Sequence, residues 1–166
     1  MAYVATNFVF GEQPSAAKWN QLTANDAAFN NGTGIPSANS SSATVTTLEA
    51  TASTSYTDLS TTGPSVTVTV GSTGMVIIGI GCYTISNTSG AINFYSFVAS
   101  GANTISAGTS PYNVQYQSFA INAFNESGCS WLITGLNAGS TTFKMQYKTN
   151  SGTSNFSNRH IYVVTL

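Results

Sequence analysis

A single histidine, His160, limits the acid–base and metal chemistry open to this 166-residue chain. A metal site built on two histidines is excluded. A serine triad would need His160 together with one of the five acids, Glu12, Asp26, Glu49, Asp58 or Glu126. His160 lies in a run where Phe156, Tyr162 and Val164 are read onto its face, so it is expected to be a packed or interface histidine and not a general base. Glycoside hydrolysis needs two opposed carboxylates, and nothing in the spacing of the scattered acids brings two together. Gly79-Ile80-Gly81 is no phosphate cradle, because it stands inside a strand-like run and not between a strand and a helix. Cys82 and Cys129 lack a neighbour at metal-ligand spacing and read as buried free thiols, with a disulfide between them as the alternative. No catalytic, metal or cofactor set emerges, and a non-enzymatic role is expected.

What remains is binding chemistry. In the loop 101–115 and just beyond it, Tyr112, Asn113 and Tyr116 are the groups that suit a glycan, since rings stack on apolar sugar faces and amides read hydroxyls. Lys144, Lys148 and Arg159, three of the four basic residues, fall in the last two strand-like runs. They form either a solvated face or a patch for the acids of a neighbour or an anionic glycan. Gly79 and Gly81 share a face with Tyr83. Glycine weakens a strand, so this alternation points either to close approach of a neighbouring backbone or ring, across a subunit contact for instance, or to a barrel bend. Gly79, Gly81, Tyr83, His160 and Tyr162 are therefore the candidate subunit interface.

Composition narrows the partners. Charged residues make up 5% of the chain, and the formal charge is −1. Four basic residues cannot neutralise many phosphates, so nucleic acid is not an expected partner. No basic stretch followed by an apolar one opens the chain, and no run approaches the roughly 18 apolar residues that a spanning helix requires, so insertion into a membrane is not expected. With hydrophobics at 42% and aromatics at 11%, global disorder is not expected either.

The elements that must position these groups follow a simple order. Residues 3–10 hold Val4, Phe8, Val9 and Phe10, too few for a core of their own. Pro14 and Ser15 then signal a helix start, and a helix is predicted over 15–30 with Ala16, Trp19, Leu22 or Thr23, Asp26 or Ala27, and Phe29 at helical spacing. It either folds back on its own domain or docks into another protein. The second reading is preferred, with Phe8, Phe10, Trp19, Leu22 and Phe29 as the anchor. Residues 1–35 thus form an anchor segment, 36–47 a Ser/Asn-rich linker whose flexible tract is 36–43, and 48–166 the main domain. Short strands are predicted at 44–48 and 55–60.

The domain centres on residues 65–86. Val66, Val68 and Val70 alternate with Thr67 and Thr69, the period of a half-buried strand, while nearly every residue from 75 to 85 is apolar or glycine, which suits a strand covered on both faces. Further strands are predicted at 91–100, 115–124, 127–134, 141–149 and 156–166, with a short one near 103–106. In 115–124, Phe119 and Ile121 stand opposite Tyr116 and Phe124. Eight or so strands with no amphipathic helix among them imply an all-β fold, an antiparallel jelly-roll-like sandwich with a short N-terminal helical segment.

The residues 131–148, Trp-Leu-Ile-Thr-Gly-Leu-Asn-Ala-Gly-Ser-Thr-Thr-Phe-Lys-Met-Gln-Tyr-Lys, followed by Asn158-Arg159-His160-Ile161-Tyr162-Val163-Val164, resemble the last strands of trimeric jelly-roll heads of the tumour necrosis factor and complement-type superfamily. The stretch 10–35, from Phe-Gly-Glu-Gln-Pro-Ser-Ala-Ala-Lys-Trp to Asn-Asn-Gly-Thr-Gly-Ile, is similar to the opening of virion structural proteins of tailed bacteriophages. The resemblance implies a homotrimer on the virion surface, assembled in the bacterial cytoplasm and held to another virion protein by its N-terminal segment. Its role would be capsid decoration or a short fibre or spike. The alternative is an adhesin module that binds a receptor or host surface glycan.

Overall fold

The computed structural model describes residues 15–30 and 40–166. The chain divides into two units, Met1–Ala38 and Asn39–Leu166. In the first, the predicted helix is present as α1, Ala16–Asn30. Ser15 caps it: the Lys18 amide donates to the Ser15 hydroxyl at 3.3 Å, satisfying one of the unpaired amides of the first turn. Trp19 and Leu22 stand exposed on this helix. Phe8 and Phe10, and with them the side chain of Phe29, lie outside the described residues.

The second unit is an antiparallel sandwich of two sheets. Its strands are β1 (Ser40–Val45), β2 (Glu49–Thr51), β3 (Ser65–Val70), β4 (Val76–Ser86), β5 (Ile92–Gly101), β6 (Asn113–Gln117), β7 (Phe124–Ile133), β8 (Gly139–Thr149) and β9 (Ser154–Thr165). One sheet runs β1-β9-β4-β7, with β2 also on β9, and the other runs β3-β8-β5-β6. This is the expected jelly-roll-like all-β class. The two halves of 65–86, adjacent in sequence, belong to different sheets: the 71–75 turn, closed by the Gly74 amide donating to the Gly71 carbonyl at 3.1 Å, carries the chain from one layer to the other.

Period-two patterns place the core directly. Val66, Val68 and Val70 of β3 face inward with the intervening threonines exposed, and Phe143, Met145 and Tyr147 of β8 do the same. Val76, Ile78, Ile80 and Cys82 supply the opposite layer. Phe97 centres an aromatic cluster, its ring 5.6 Å from Tyr112, 6.0 Å from Trp131 and 6.0 Å from Phe143. Each such side chain contributes roughly 1.5–3 kcal/mol by leaving water.

Four local expectations need correction. Ser40–Ala43, read as flexible tract, form most of β1 in register with β9, because a ladder needs only backbone amides and carbonyls and small hydroxylated residues do not obstruct it. Residues 55–60 form no strand; Thr57 makes one bridge, to Tyr147, within a strap over the second sheet. Likewise 103–106 reduces to a bridge between Ile105 and Ala99. Finally, β6 stops at Gln117, and Phe119 and Ile121 lie in a loop, outside any strand.

Candidate functional site

The outer face of the β1-β9-β4-β7 sheet brings together the residues singled out as a candidate interface. Register sets Ser42, Tyr162, Gly79 and Ser130 in one row across the four strands. The next row holds Thr44, His160, Gly81 and Gly128. The glycines are there because rings lie on them. A Cβ on Gly79 would stand 2.2 Å from Cε1 of Tyr162, and one on Gly81 would stand 2.6 Å from Cε1 of His160. The close approach inferred for Gly79 and Gly81 is therefore by rings of the same chain. The Tyr162 hydroxyl is fixed by Ser130 Oγ at 2.6 Å, so its ring is held flat across β4.

A bulge aims these rings. Between Gly81 and Tyr83, β4 advances two residues while β9 advances three, from His160 to Ser157, and Asn158 takes up the extra residue at a φ of 46°. The bulge reverses the alternation, so Phe156 and Arg159 face the core while His160, Tyr162 and Val164 face outward. The expectation that Phe156 shares a face with His160 fails for this reason. His160 Nδ1 lies 3.3 Å from the Asn158 carbonyl, and two of the acids once available to it are engaged elsewhere: Glu49 by Arg159, Asp58 by Lys144.

Around these rings the face is apolar and hydroxylated. Ile77, Val164 and Leu132 form the row toward one end, with Leu132 57% exposed, and Tyr83, Ile85 and Phe124 extend it toward the other. Among the described residues on this face, Glu126 alone carries a formal charge at neutral pH.

The basic residues do not form a patch. Arg159 is fully buried: Nη2 donates to Glu49 Oε2 at 2.7 Å, and Nη1 donates to the Thr61 and Gly63 carbonyls at 3.3 and 3.4 Å. Lys144 pairs with Asp58 at 2.7 Å, and Lys148 sits over the rings of Tyr56 and Phe94 at 4.8 and 4.6 Å. Intramolecular partners thus occupy all three. The glycan-binding trio is also dispersed. Tyr112 packs into the aromatic cluster against Phe97 and Trp131, while alternation along β6 puts Asn113 and Tyr116 on opposite faces.

Both cysteines are free; Cys82 is buried and Cys129 exposed. Burial pushes the Cys82 thiol pKa up, so it is protonated and shielded, whereas Cys129 lies on β7, an edge strand, within reach of solvent. Titration with a thiol reagent is expected to modify one cysteine per native chain and the second only after denaturation. Two fast thiols in the native protein would contradict this placement.

No family model and no curated protein matches the chain. Among solved structures, that of infectious bursal disease virus Gx strain is similar over 76% of this chain and 32% of its own, at 11% identity and a TM-score of 0.49. Eiger TNF from S. frugiperda is similar over 74% of this chain and 93% of its own, at 11% identity and a TM-score of 0.41. The enzymatically active domain of bacteriophage CBA120 tailspike protein 4 is similar over 76% of this chain and 19% of its own, at 15% identity and a TM-score of 0.35. The chain thus spans about a third of the infectious bursal disease virus chain it matches. At these identities no activity or partner carries across.

Proposed function

We propose that the chain is a non-enzymatic structural protein of a bacteriophage particle, a homotrimer on the virion surface serving as capsid decoration or as a short fibre or spike. The observation that carries this reading is the outer face of the β1-β9-β4-β7 sheet. Its rings are laid flat over Gly79 and Gly81, and its margins present Leu132, Val164 and Ile77 with almost no charge. An apolar, nearly uncharged face of this kind suits a contact between copies, and closed rotational symmetry lets every copy hide it. The likeness of residues 10–35 to the opening of phage virion proteins supports the particle and the N-terminal attachment. Exposed Trp19 and Leu22 on α1 suit docking on a second virion protein.

Light scattering on the full chain is expected to give three times the 17.2 kDa chain mass. A stable monomer at micromolar concentration would remove the basis of this reading. Imaging of labelled chain on the particle separates decoration from fibre.

A further inference from the structure

His160 is the one histidine of the chain, and it stands on the sheet face read above as the contact between copies. Its ring is seated on β4: a Cβ on Gly81 would meet its Cε1 and Nε2 at 2.6 Å. The bulge at Asn158 is what turns the ring outward. Its Nδ1 lies 3.3 Å from the Asn158 carbonyl, a contact that an Nδ1–H satisfies, so the proton gained in acid goes to Nε2.

The groups around this ring are neutral on nearly every side. β1 presents Ser42 and Thr44, β4 presents Gly81 and Tyr83, β7 presents Gly128 and Glu126, and β9 itself presents Ser157 and Tyr162. Glu126 is the one acid among them, and it is bonded to the Tyr83 hydroxyl, which pushes that phenol pKa up and keeps Tyr83 neutral. Two strands and one row separate Glu126 from His160, on the order of 10 Å, too far for an ion pair within one chain. Glu49 and Asp58 are held by Arg159 and Lys144. Histidine is the side chain whose ordinary titration falls between pH 5 and 8, so His160 is the group through which mild acid changes the charge of this face.

We propose that the face carries a proton-operated release: with His160 neutral the copies close on it, and below about pH 6, with His160 protonated, the homotrimer loosens. This inference rests on the trimer reading above and adds its regulation. A contact between copies takes each group of the face out of water. A neutral imidazole enters at small cost once its N–H is bonded, whereas an imidazolium with no carboxylate beside it resists the transfer. Rotational symmetry compounds the effect, because every copy brings the same cation to an equivalent place and like charges oppose closure.

The test is sedimentation velocity of the full chain at pH 7.5 and pH 5.5 at one ionic strength. The concentration at which half the chains are assembled is expected to rise at least about tenfold at pH 5.5, and to return when the pH is restored. Circular dichroism should be the same at both values, since the Glu49 carboxyl, held below the ordinary carboxylate range, is still ionised at pH 5.5. His160→Phe keeps a ring over Gly81 that takes up no proton, and His160→Gln is a second uncharged replacement should the phenyl ring pack poorly. Either variant that assembles at pH 7.5 is expected to assemble equally at pH 5.5. A parent trimer equally tight at both values overturns the release and leaves the trimer standing. Loss in acid shared by both variants, or accompanied by a changed circular dichroism spectrum, overturns it as well. A parent that is monomeric at pH 7.5 overturns the trimer reading and the release with it.

Discussion

Glu49→Gln is expected to lower the unfolding free energy at pH 7 by about 3–5 kcal/mol, the usual cost of leaving a buried charge without its partner. Arg159 is fully buried, and the Glu49 side chain is 12% exposed. Oε2 takes the guanidinium, while Oε1 accepts the Thr61 amide at 2.8 Å and the Thr61 hydroxyl at 2.7 Å. Together with the Arg159 bonds to the Thr61 and Gly63 carbonyls, these contacts tie the strap around 57–64 to β2 and β9. Burial pushes the Glu49 carboxyl up, but the Thr61 hydroxyl and amide and the Arg159 charge outweigh it, and the net is a pKa below the ordinary carboxylate value.

A depressed carboxyl stabilises the folded state fully above its unfolded pKa, about 4.3 for glutamate, and the contribution disappears as pH falls through the folded value. The gap between the two proteins should therefore be full at pH 7 and shrink in acid below about pH 4. Urea titrations at pH 7, 5 and 3 check this. A gap that stays constant with pH, or stays under about 1 kcal/mol, would show that the pair does not hold the strap. Replacing both partners, Glu49→Leu with Arg159→Met, is expected to recover part of the loss, since it removes the stranded charge.

That pair marks a limit of sequence reading. Glu49 and Arg159 stand 110 positions apart, and no local pattern connects them. Alternation was legible wherever one face meets the core and the other water, as in β3 and β8, because the period of a strand is its geometry. It misled at 119–121, where Phe119 and Ile121 keep the period but point away from any core: apolar spacing shows what could be buried, and packing decides what is. It failed again at Asn158, since one inserted residue turns the row carrying His160 and Tyr162 outward while Phe156 stays inside. Composition misjudged residues 40–43, where serine-rich chain completes a sheet edge through its backbone. Gly79 and Gly81 were informative because glycine in a central strand needs a reason, and Tyr162 and His160 supply it. That those rings come from the neighbouring strand is a fact of register, which the sequence does not carry.

Leu132→Glu combined with Val164→Glu is expected to convert the proposed homotrimer into monomers while leaving the sandwich folded. The two side chains flank Ile77 in one row of the outer face, so under the proposed trimer two carboxylates from each copy would be forced into the contact. Desolvating an unpaired charge costs several kcal/mol, enough to move a micromolar association out of the measurable range. Leu132 is already 57% exposed and Val164 half-buried, on the side of the sheet away from the core, so intrinsic stability should change little. Gly79→Ala acts on the same face by another route. Its methyl displaces the Tyr162 ring and breaks the hydrogen bond to Ser130, roughening the surface without adding charge. It should weaken association less than the double glutamate does. Sedimentation velocity and urea denaturation on the three proteins separate the outcomes. Monomeric mass with a cooperative unfolding transition retained for the double variant locates the contact on this face, whereas an undiminished trimer places the contact elsewhere on the sandwich.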